Sequence, residues 1–281
     1  MFRPVLLICV LLATTGSSFP WGLLAHRIVT EAAAERLPPD VAPFFRKISP
    51  RLQELSLEPD TVLRARAKGD EEARRHFINL DAYEPFPFTG IPREYERAQE
   101  RYGEAKVGRN GTLPWRIAGV LKDLTAAMRG GDAPETARQA GYLSHYVADA
   151  YQPLHLTVNH DGRETCNAGV HHAFESAMIE RRQERYRDAL RRSRGAAEAI
   201  EKPLLYLFNG MRERYALVAR ILEADTAALN GLKSERKDYW EELDRRAGPI
   251  AEREMSEAAT AVASFWYTAW LDAGRPPLPL P

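Results

Sequence analysis

Cysteine is nearly absent from this chain, whose 281 residues include only Cys9 and Cys166. That excludes a disulfide-stapled scaffold and a thiolate-ligated zinc ribbon. Net charge is lacking too, because 39 Lys+Arg stand against 39 Asp+Glu. A neutral balance supplies no global field for a polyanion, so a histone-like or polybasic binder is excluded and any phosphate chemistry must come from a local site. Beyond residue 21 there is almost no alternation of apolar and polar β-branched residues, which removes the usual signature of strands. Low-complexity disorder is excluded as well, since apolar residues recur at helical spacing throughout.

The one long apolar run is Val5 to Ala13, between a short basic start at Met1 to Arg3 and a small, turn-prone stretch from Thr14 to Pro20. This reads as a signal peptide over 1–20. It is too short to span a bilayer, which takes roughly 20 apolar residues, and no later segment qualifies. The expected mature protein is secreted or periplasmic, keeps Cys166 as its one cysteine and forms no intrachain disulfide. The rest reads as an all-α protein, a single compact multi-helix domain over 21–275 followed by a Pro-rich tail at 276–281. Helices are expected near 25–37, 41–47, 60–68, 93–101, 113–129, 133–151, 170–193, 201–226 and 237–272, the last broken at Gly248-Pro249, where proline removes a donor. Asp132-Ala133-Pro134-Glu135 is a start signal, with an acid at the cap and proline in the first turn. Gln152-Pro153 is a stop. Ser56 to Asp60, Tyr83 to Pro92 and Val158 to Gly169 read as loops.

Seven histidines, His26, His76, His145, His155, His160, His171 and His172, all precede the last hundred or so residues. In Leu143 to His155 (LSHYVADAYQPLH), His145 and Asp149 are four apart and share one helical face. His155 falls on the turn beyond Pro153. In VHHAFE, His171 and Glu175 repeat the four-residue spacing; His172 does not. One such pair is ordinarily an exposed helix pair contributing a few tenths of a kcal/mol. Several together lack a structural explanation of that kind, because burying so many polar groups costs several kcal/mol unless something binds them. Two facing pairs are how helical proteins build multinuclear metal sites. Imidazole and carboxylate without thiolate suit zinc, with iron, manganese or nickel as alternatives. The absence of H-E-x-x-H argues against an ordinary metalloprotease.

With HYVADAYQPLH come Trp21-Gly22-Leu23-Leu24-Ala25-His26 and His76-Phe77-Ile78, and together they resemble the superfamily of zinc-dependent phospholipases C and S1/P1-type nucleases. The resemblance implies an all-helical fold with three zinc ions in a cleft and hydrolysis of phosphoesters. It implies that His145, Asp149, His76 and an upstream aspartate hold a first zinc, and that His155, His171 and Glu175 hold a second. Trp21 (through its amine and carbonyl), His26 and Asp149 would hold the third, so that Asp149 bridges two metals. The upstream aspartate is Asp60, with Asp70 as its rival; Asp60 and Asp149 are the candidate catalytic carboxylates. The Trp21 role needs a free α-amine, hence cleavage after Pro20. Cleavage elsewhere would leave two zinc ions.

Paired metals about 3.5–4 Å apart activate a shared water for in-line attack. No serine or cysteine nucleophile is then required, and Cys166 is not expected to be catalytic. Arg64 and Asn159 lie near the ligands in sequence and could contact phosphate, but each reads first as a solvated polar residue, and His160 is read as a surface or supporting residue. The expected function is a phospholipase C-like phosphoric ester hydrolase. The alternative is an S1/P1-type single-strand nuclease or 3′-nucleotidase, suggested by the short Trp21 to His26 gap and by Phe77, which could stack on a base, although Asn79 stands where an aspartate is expected. A further alternative is a non-enzymatic metal-binding helical protein. The expected partner is a phospholipid head group, single-stranded nucleic acid or nucleotide, with no obligate protein partner. The basic stretches Arg181 to Arg194 and Arg245 to Arg253 are interleaved with acids and read as solvated helix faces. Asn110-Gly111 reads as a turn.

Overall fold

The computed structural model describes residues 21–193, 195–233 and 238–278. The expected signal peptide at 1–20, Cys9 and the last three residues of the Pro-rich tail lie outside them. No strand occurs among the described residues, so the chain is all-α. In order the helices are α1 (Leu23–Ala34), α2 (Ala42–Leu55), α3 (Arg64–Arg66), α4 (Tyr95–Tyr102), α5 (Glu104–Arg109), α6 (Leu113–Gly130) and α7 (Ala133–Asp149). They continue as α8 (Val170–His172), α9 (Met178–Arg181), α10 (Gln183–Arg192), α11 (Pro203–Tyr215), α12 (Leu217–Lys233) and α13 (Tyr239–Asp272). Two short π-helical turns, Pro59–Leu63 and Ala173–Ala177, sit beside α3 and between α8 and α9.

Helix α7 is the axis of the molecule. It starts as the sequence dictates: Asp132 accepts from the backbone N–H of Glu135 at 3.0 Å, and Pro134 occupies the first turn where its missing donor costs little. It packs against α1, α2, α6 and α13, and every residue from Ala140 to Asp149 is buried. Approach of α2 depends on Gly141, where an added Cβ would lie 2.5 Å from Leu55 Cβ. Trp266 of α13 ties the other side by donating its indole N–H to the Ala140 carbonyl at 2.9 Å.

The structure corrects several expected boundaries. Helix α2 runs to Leu55 through Pro50 because the apolar spacing continues, burying Phe44, Phe45, Ile48, Leu52 and Leu55 on one face. Helix α13 passes unbroken through Pro249, since its contacts with α1, α6, α7, α10 and α12 outweigh one lost backbone bond. The expected helix 170–193 is instead divided into α8, the π-turn Ala173–Ala177, α9 and α10. The expected 201–226 helix is two, divided at Ala216, with α12 continuing to Lys233. Ser56 to Asp60 is not a loop throughout: after a turn at Ser56, Asp60 enters a π-helical turn. The tail is held at its start, where Trp270 donates to the Pro276 carbonyl at 2.9 Å and Leu278 packs on the core.

Candidate metal centre

Helix α7 delivers His145 and Asp149 one turn apart, both fully buried. The Gly141 contact that brings α2 close also brings the Ser56 carbonyl to 2.7 Å from His145 Nδ1. A carbonyl can only accept, so the His145 proton sits on Nδ1 and Nε2 is left to face the interior. Around Nε2 lie His76 Nδ1 at 2.9 Å, Asp149 Oδ2 at 3.3 Å and Asp60 Oδ2 at 3.9 Å. Asp60 also stands 3.8 Å from His76 Nδ1. Asp70, its rival in sequence, is exposed and paired with Arg74.

Two further groups adjoin this one. His26 from α1 stacks on His145 with ring centroids 4.0 Å apart and places Nε2 3.5 Å from Asp149 Oδ1. His155, on the turn after Pro153, places Nδ1 3.7 Å from the same oxygen. On its other edge, His155 Nε2 is 3.1 Å from His171 Nε2 and 3.6 Å from Glu175 Oε2, while His171 Nε2 is 2.8 Å from Glu175 Oε2. Three sets of ligand atoms thus converge, each within 4.8 Å: His26, His145 and Asp149; Asp60, His76 and His145; and His155, His171 and Glu175. His172 is exposed.

Both π-turns serve this region. Widening a helix by one residue per turn re-aims its side chains, and such turns are frequent at functional sites. One carries Asp60 and the other Glu175. Trp21 is buried against Phe174 of the second π-turn, ring centroids 5.8 Å apart. The N–H of Gly22 donates to the Glu175 carbonyl at 3.2 Å. In the full chain the Trp21 nitrogen is joined to Pro20, so the amine expected there exists only after cleavage.

Electrostatics follow from burial of unlike charges. Burial alone would raise Asp149 and Glu175, but the surrounding imidazoles outweigh it: Asp149 falls well below the carboxylate range and Glu175 to about 2. For Asp60 burial wins over His145 and His76 and pushes the carboxyl up to about 6. Burial would lower His76, yet Asp149, Glu72 and Asp60 push it up to about 9. His155 is lowered by burial, whereas His171 is raised because Glu175 outweighs burial. Buried polar atoms Asp60 Oδ2, Asp149 Oδ1, His155 Nδ1 and Glu175 Oε1 have no hydrogen-bond partner. Such orphaned acceptors are costly unless a cation satisfies them. The donor set of imidazoles and carboxylates, with no thiolate, fits zinc.

Some candidates are engaged elsewhere. Asn159 accepts from Glu164 N–H at 2.9 Å and donates to Thr165 at 3.0 Å, so it shapes its own loop. Arg64 Nη1 lies 3.4 Å from Asp60 Oδ1. Phe77 is half-buried and Asn79 donates to Asn110 at 3.3 Å, both packed on the Asn110-Gly111 turn. His160 is exposed, its ring 5.7 Å from His171. Glu72, by contrast, was missed in sequence: it is buried, 3.6 Å from His76 Nε2, and bonded to Tyr146 and Arg75. Burial would raise its carboxyl, but His76, Tyr146 and Arg75 hold it down to about 2. Its only signal was a four-residue spacing to His76. Gln152, which donates to Glu175 Oε2 at 3.1 Å, was likewise missed.

The family model for S1/P1 nuclease matches residues 21–266. The chain belongs to the S1/P1 nuclease family. Its fold is similar to the alpha toxin of Clostridium absonum (TM-score 0.53, 14% identity, 92% of this chain and 66% of that one). The Clostridium perfringens alpha-toxin is also similar (TM-score 0.50, 15% identity, 89% of this chain and 63% of that one). A curated relative, named a probable serine protease of Bradyrhizobium tropiciagri, is 25% identical over 200 residues, covering 61% of this chain. The chain spans a quarter of that relative's length and just under two thirds of the two toxins.

Proposed function

We propose that this chain is an exported, zinc-dependent phosphoric ester hydrolase that uses water rather than a side chain as nucleophile. The observation that carries the reading is the convergence of three buried ligand groups on Asp149 and its neighbours, supported by membership of the S1/P1 nuclease family. His145, His76, Asp60 and Asp149 would hold one zinc, His155, His171 and Glu175 a second, and His26, Asp149 and the freed Trp21 terminus a third. Zinc bound there would polarise phosphoryl oxygens and lower the pKa of water towards neutrality. The protein's part is to hold the ligands rigid: Ser56 fixes the His145 ring, Gln152 steadies Glu175, and Asp149 presents one oxygen to His26 and His155 and the other to His76 and His145. No cysteine belongs to the three groups, and Cys166 is exposed. The hydrophobic leader at 5–13 supports export. No helix among the described residues is long and apolar enough to cross a membrane.

For substrate, the reading is a phosphodiester of the phospholipase C type. The engagement of Phe77 and Asn79 by the Asn110-Gly111 turn favours it over a base-stacking pocket. A second reading, a single-strand nuclease or 3′-nucleotidase, is favoured by the family match. The test is the metal content of the mature protein together with hydrolysis of phosphatidylcholine, single-stranded DNA and a 3′-nucleotide, with and without chelator. Hydrolysis that survives metal removal, or a trapped phosphoryl-enzyme, would overturn the proposal. Cleavage of DNA without phospholipid would replace the first substrate with the second.

A further inference from the structure

Large apolar side chains exposed singly need no explanation, but several gathered at one place mark a contact surface. Among the described residues five are exposed: Phe86, Val158, Leu205, Tyr206 and Leu232. Four of the five gather around the turn Pro153–Leu156, which carries His155. Val158 lies just beyond that turn in the chain. Leu205 and Tyr206 belong to α11, which packs on it, and the Tyr206 hydroxyl is 3.0 Å from that of Tyr151. Phe86 joins them through Tyr215 at the other end of α11, the two rings nearly parallel with centroids 6.4 Å apart. Leu232 stands apart on the last turn of α12, about 22 Å along that helix from its start at Leu217.

Phe86 and Val158 are held outward by the fold. Asp81 accepts from the Val158 N–H at 3.0 Å, from Thr157 Oγ1 at 2.6 Å and from the Tyr215 hydroxyl at 3.3 Å, so one carboxylate ties both sides of the rim. Phe86 packs edge-on against Phe88 with centroids 5.6 Å apart, and Phe88 is buried with φ 58°. A phenylalanine stays in that left-handed region only where its surroundings enforce it. The same loop is pinned at Gly90, whose N–H donates to Glu84 and whose carbonyl accepts from Arg101, each at 2.6 Å. A loop so fixed presents a side chain that is 57% exposed.

The rim lies beside the most open edge of the metal centre. Among the side chains of the three ligand groups, His171 is the most exposed, at 7%. The exposed His160 ring stands 5.7 Å from it, and His160 Nδ1 is 3.3 Å from the Val158 carbonyl. The charged side chains bonded into the two rim segments are Asp81, Glu84 and Asp161 against Arg101 and Arg163. Their sum is negative, which repels a nucleic-acid backbone, whereas aromatic and aliphatic side chains enter the interfacial layer of a bilayer readily.

We propose that Phe86 and Val158, held by Tyr215 and Asp81 beside the His171 edge, dock this chain on the surface of a zwitterionic phospholipid bilayer. A lipid phosphate is then brought to the opening while its acyl chains stay in the membrane. The proposal rests on the phospholipase reading for its consequence, and the surface itself is testable without catalysis.

The test uses mature protein stripped of metal, so that no lipid is consumed, with phosphatidylcholine vesicles as the probe. Wild-type protein should sediment with the vesicles. Phe86→Ser combined with Val158→Ser should weaken that partition by about tenfold, the order expected when two partly exposed apolar side chains are no longer taken out of water. Leu232→Ser, on the distant end of α12, should partition as the wild type does. With zinc restored, the double variant should show a KM about tenfold higher on the same vesicles, the same factor as the lost partition. A wild type that stays in the supernatant would overturn the proposal, as would equal partition of wild type and double variant, or an equal loss in Leu232→Ser. Weaker binding of single-stranded DNA in the double variant, with vesicle binding unaltered, would overturn it in favour of a nucleobase contact. Rim-dependent vesicle binding by a wild type that hydrolyses no phospholipid with zinc restored would instead sink the phospholipase reading and leave the docking surface standing. Thermal melts check folding; should the double variant not fold, Phe86→Ser alone carries the comparison.

Discussion

His155 Nε2 and His171 Nε2 lie 3.1 Å apart in the interior, with Glu175 Oε2 2.8 Å from the second. Two imidazole lone pairs cannot face each other at that distance unless a proton or a cation lies between them. The rings come from a turn after α7 and from α8, so the contact is not imposed by one helix. His171→Ala is expected to remove one metal equivalent and leave the others, read by elemental analysis of dialysed protein. Retention of the full metal complement would show that this group is not a ligand set.

Asp149 has a different reach. Its two oxygens lie 3.0–3.7 Å from His26, His76, His145 and His155. Asp149→Ala is therefore expected to cost at least two metal equivalents and to lower phosphoester hydrolysis by about 100-fold or more. It should also lose more activity than Asp60→Ala. A variant that loses only one metal would show that Asp149 does not join two groups.

Two pairs of this arrangement were legible in the sequence through helical arithmetic, while His26, His76 and Asp60 entered only as what the family resemblance implies. His145 with Asp149 and His171 with Glu175 sit four residues apart, and α7 is capped as Asp132 and Pro134 indicate. Less legible was what depends on tertiary packing. Pro249 argued for a helix break, but contacts along α13 offset the loss of a single backbone bond, and α2 likewise continues through Pro50 past its expected end at 47. The π-turns that aim Asp60 and Glu175 have no composition of their own. Glu72 was hidden in a charged run, EEARRH, whose ordinary reading is a solvated face. Only the fold shows that one of its acids is turned inward.

Gly22 links the first helix to the second π-turn. A Cβ there would lie 2.4 Å from Ser176 Oγ and 2.9 Å from its Cβ, and the Gly22 N–H already bonds to the Glu175 carbonyl. Gly22→Ala is expected to destabilise the protein by about 1–3 kcal/mol through overpacking and to weaken zinc at the His155 group by displacing Glu175. Ser176→Gly added to it should restore much of both. Thermal melts and chelator competition on the single and double variants measure this; no recovery in the double variant would mean that the clash is not with Ser176.

Asp60 exposes the cost of building a metal site inside a protein. Its folded pKa is raised by burial to about 6 from an ordinary value of 3.8, so the metal-free fold prefers the neutral acid. The sign follows from linkage: the unfolded chain loses this proton first, so the penalty is absent below pH 3.8, grows between 3.8 and 6 and is complete above 6. A shift of about two units is on the order of 2–3 kcal/mol. Metal-free Asp60→Asn should therefore be more stable than the metal-free wild type at pH 7.5, with the advantage fading as pH falls towards 4. With zinc present the order should reverse, because the wild type alone binds metal through Asp60 and is stabilised by mass action. Urea unfolding of both proteins at pH 4.5, 6 and 7.5, each with and without zinc, gives all six comparisons. A metal-free variant no more stable than the wild type at pH 7.5 would show that Asp60 is satisfied in the fold by its own neighbours and has no unmet charge to offer a metal.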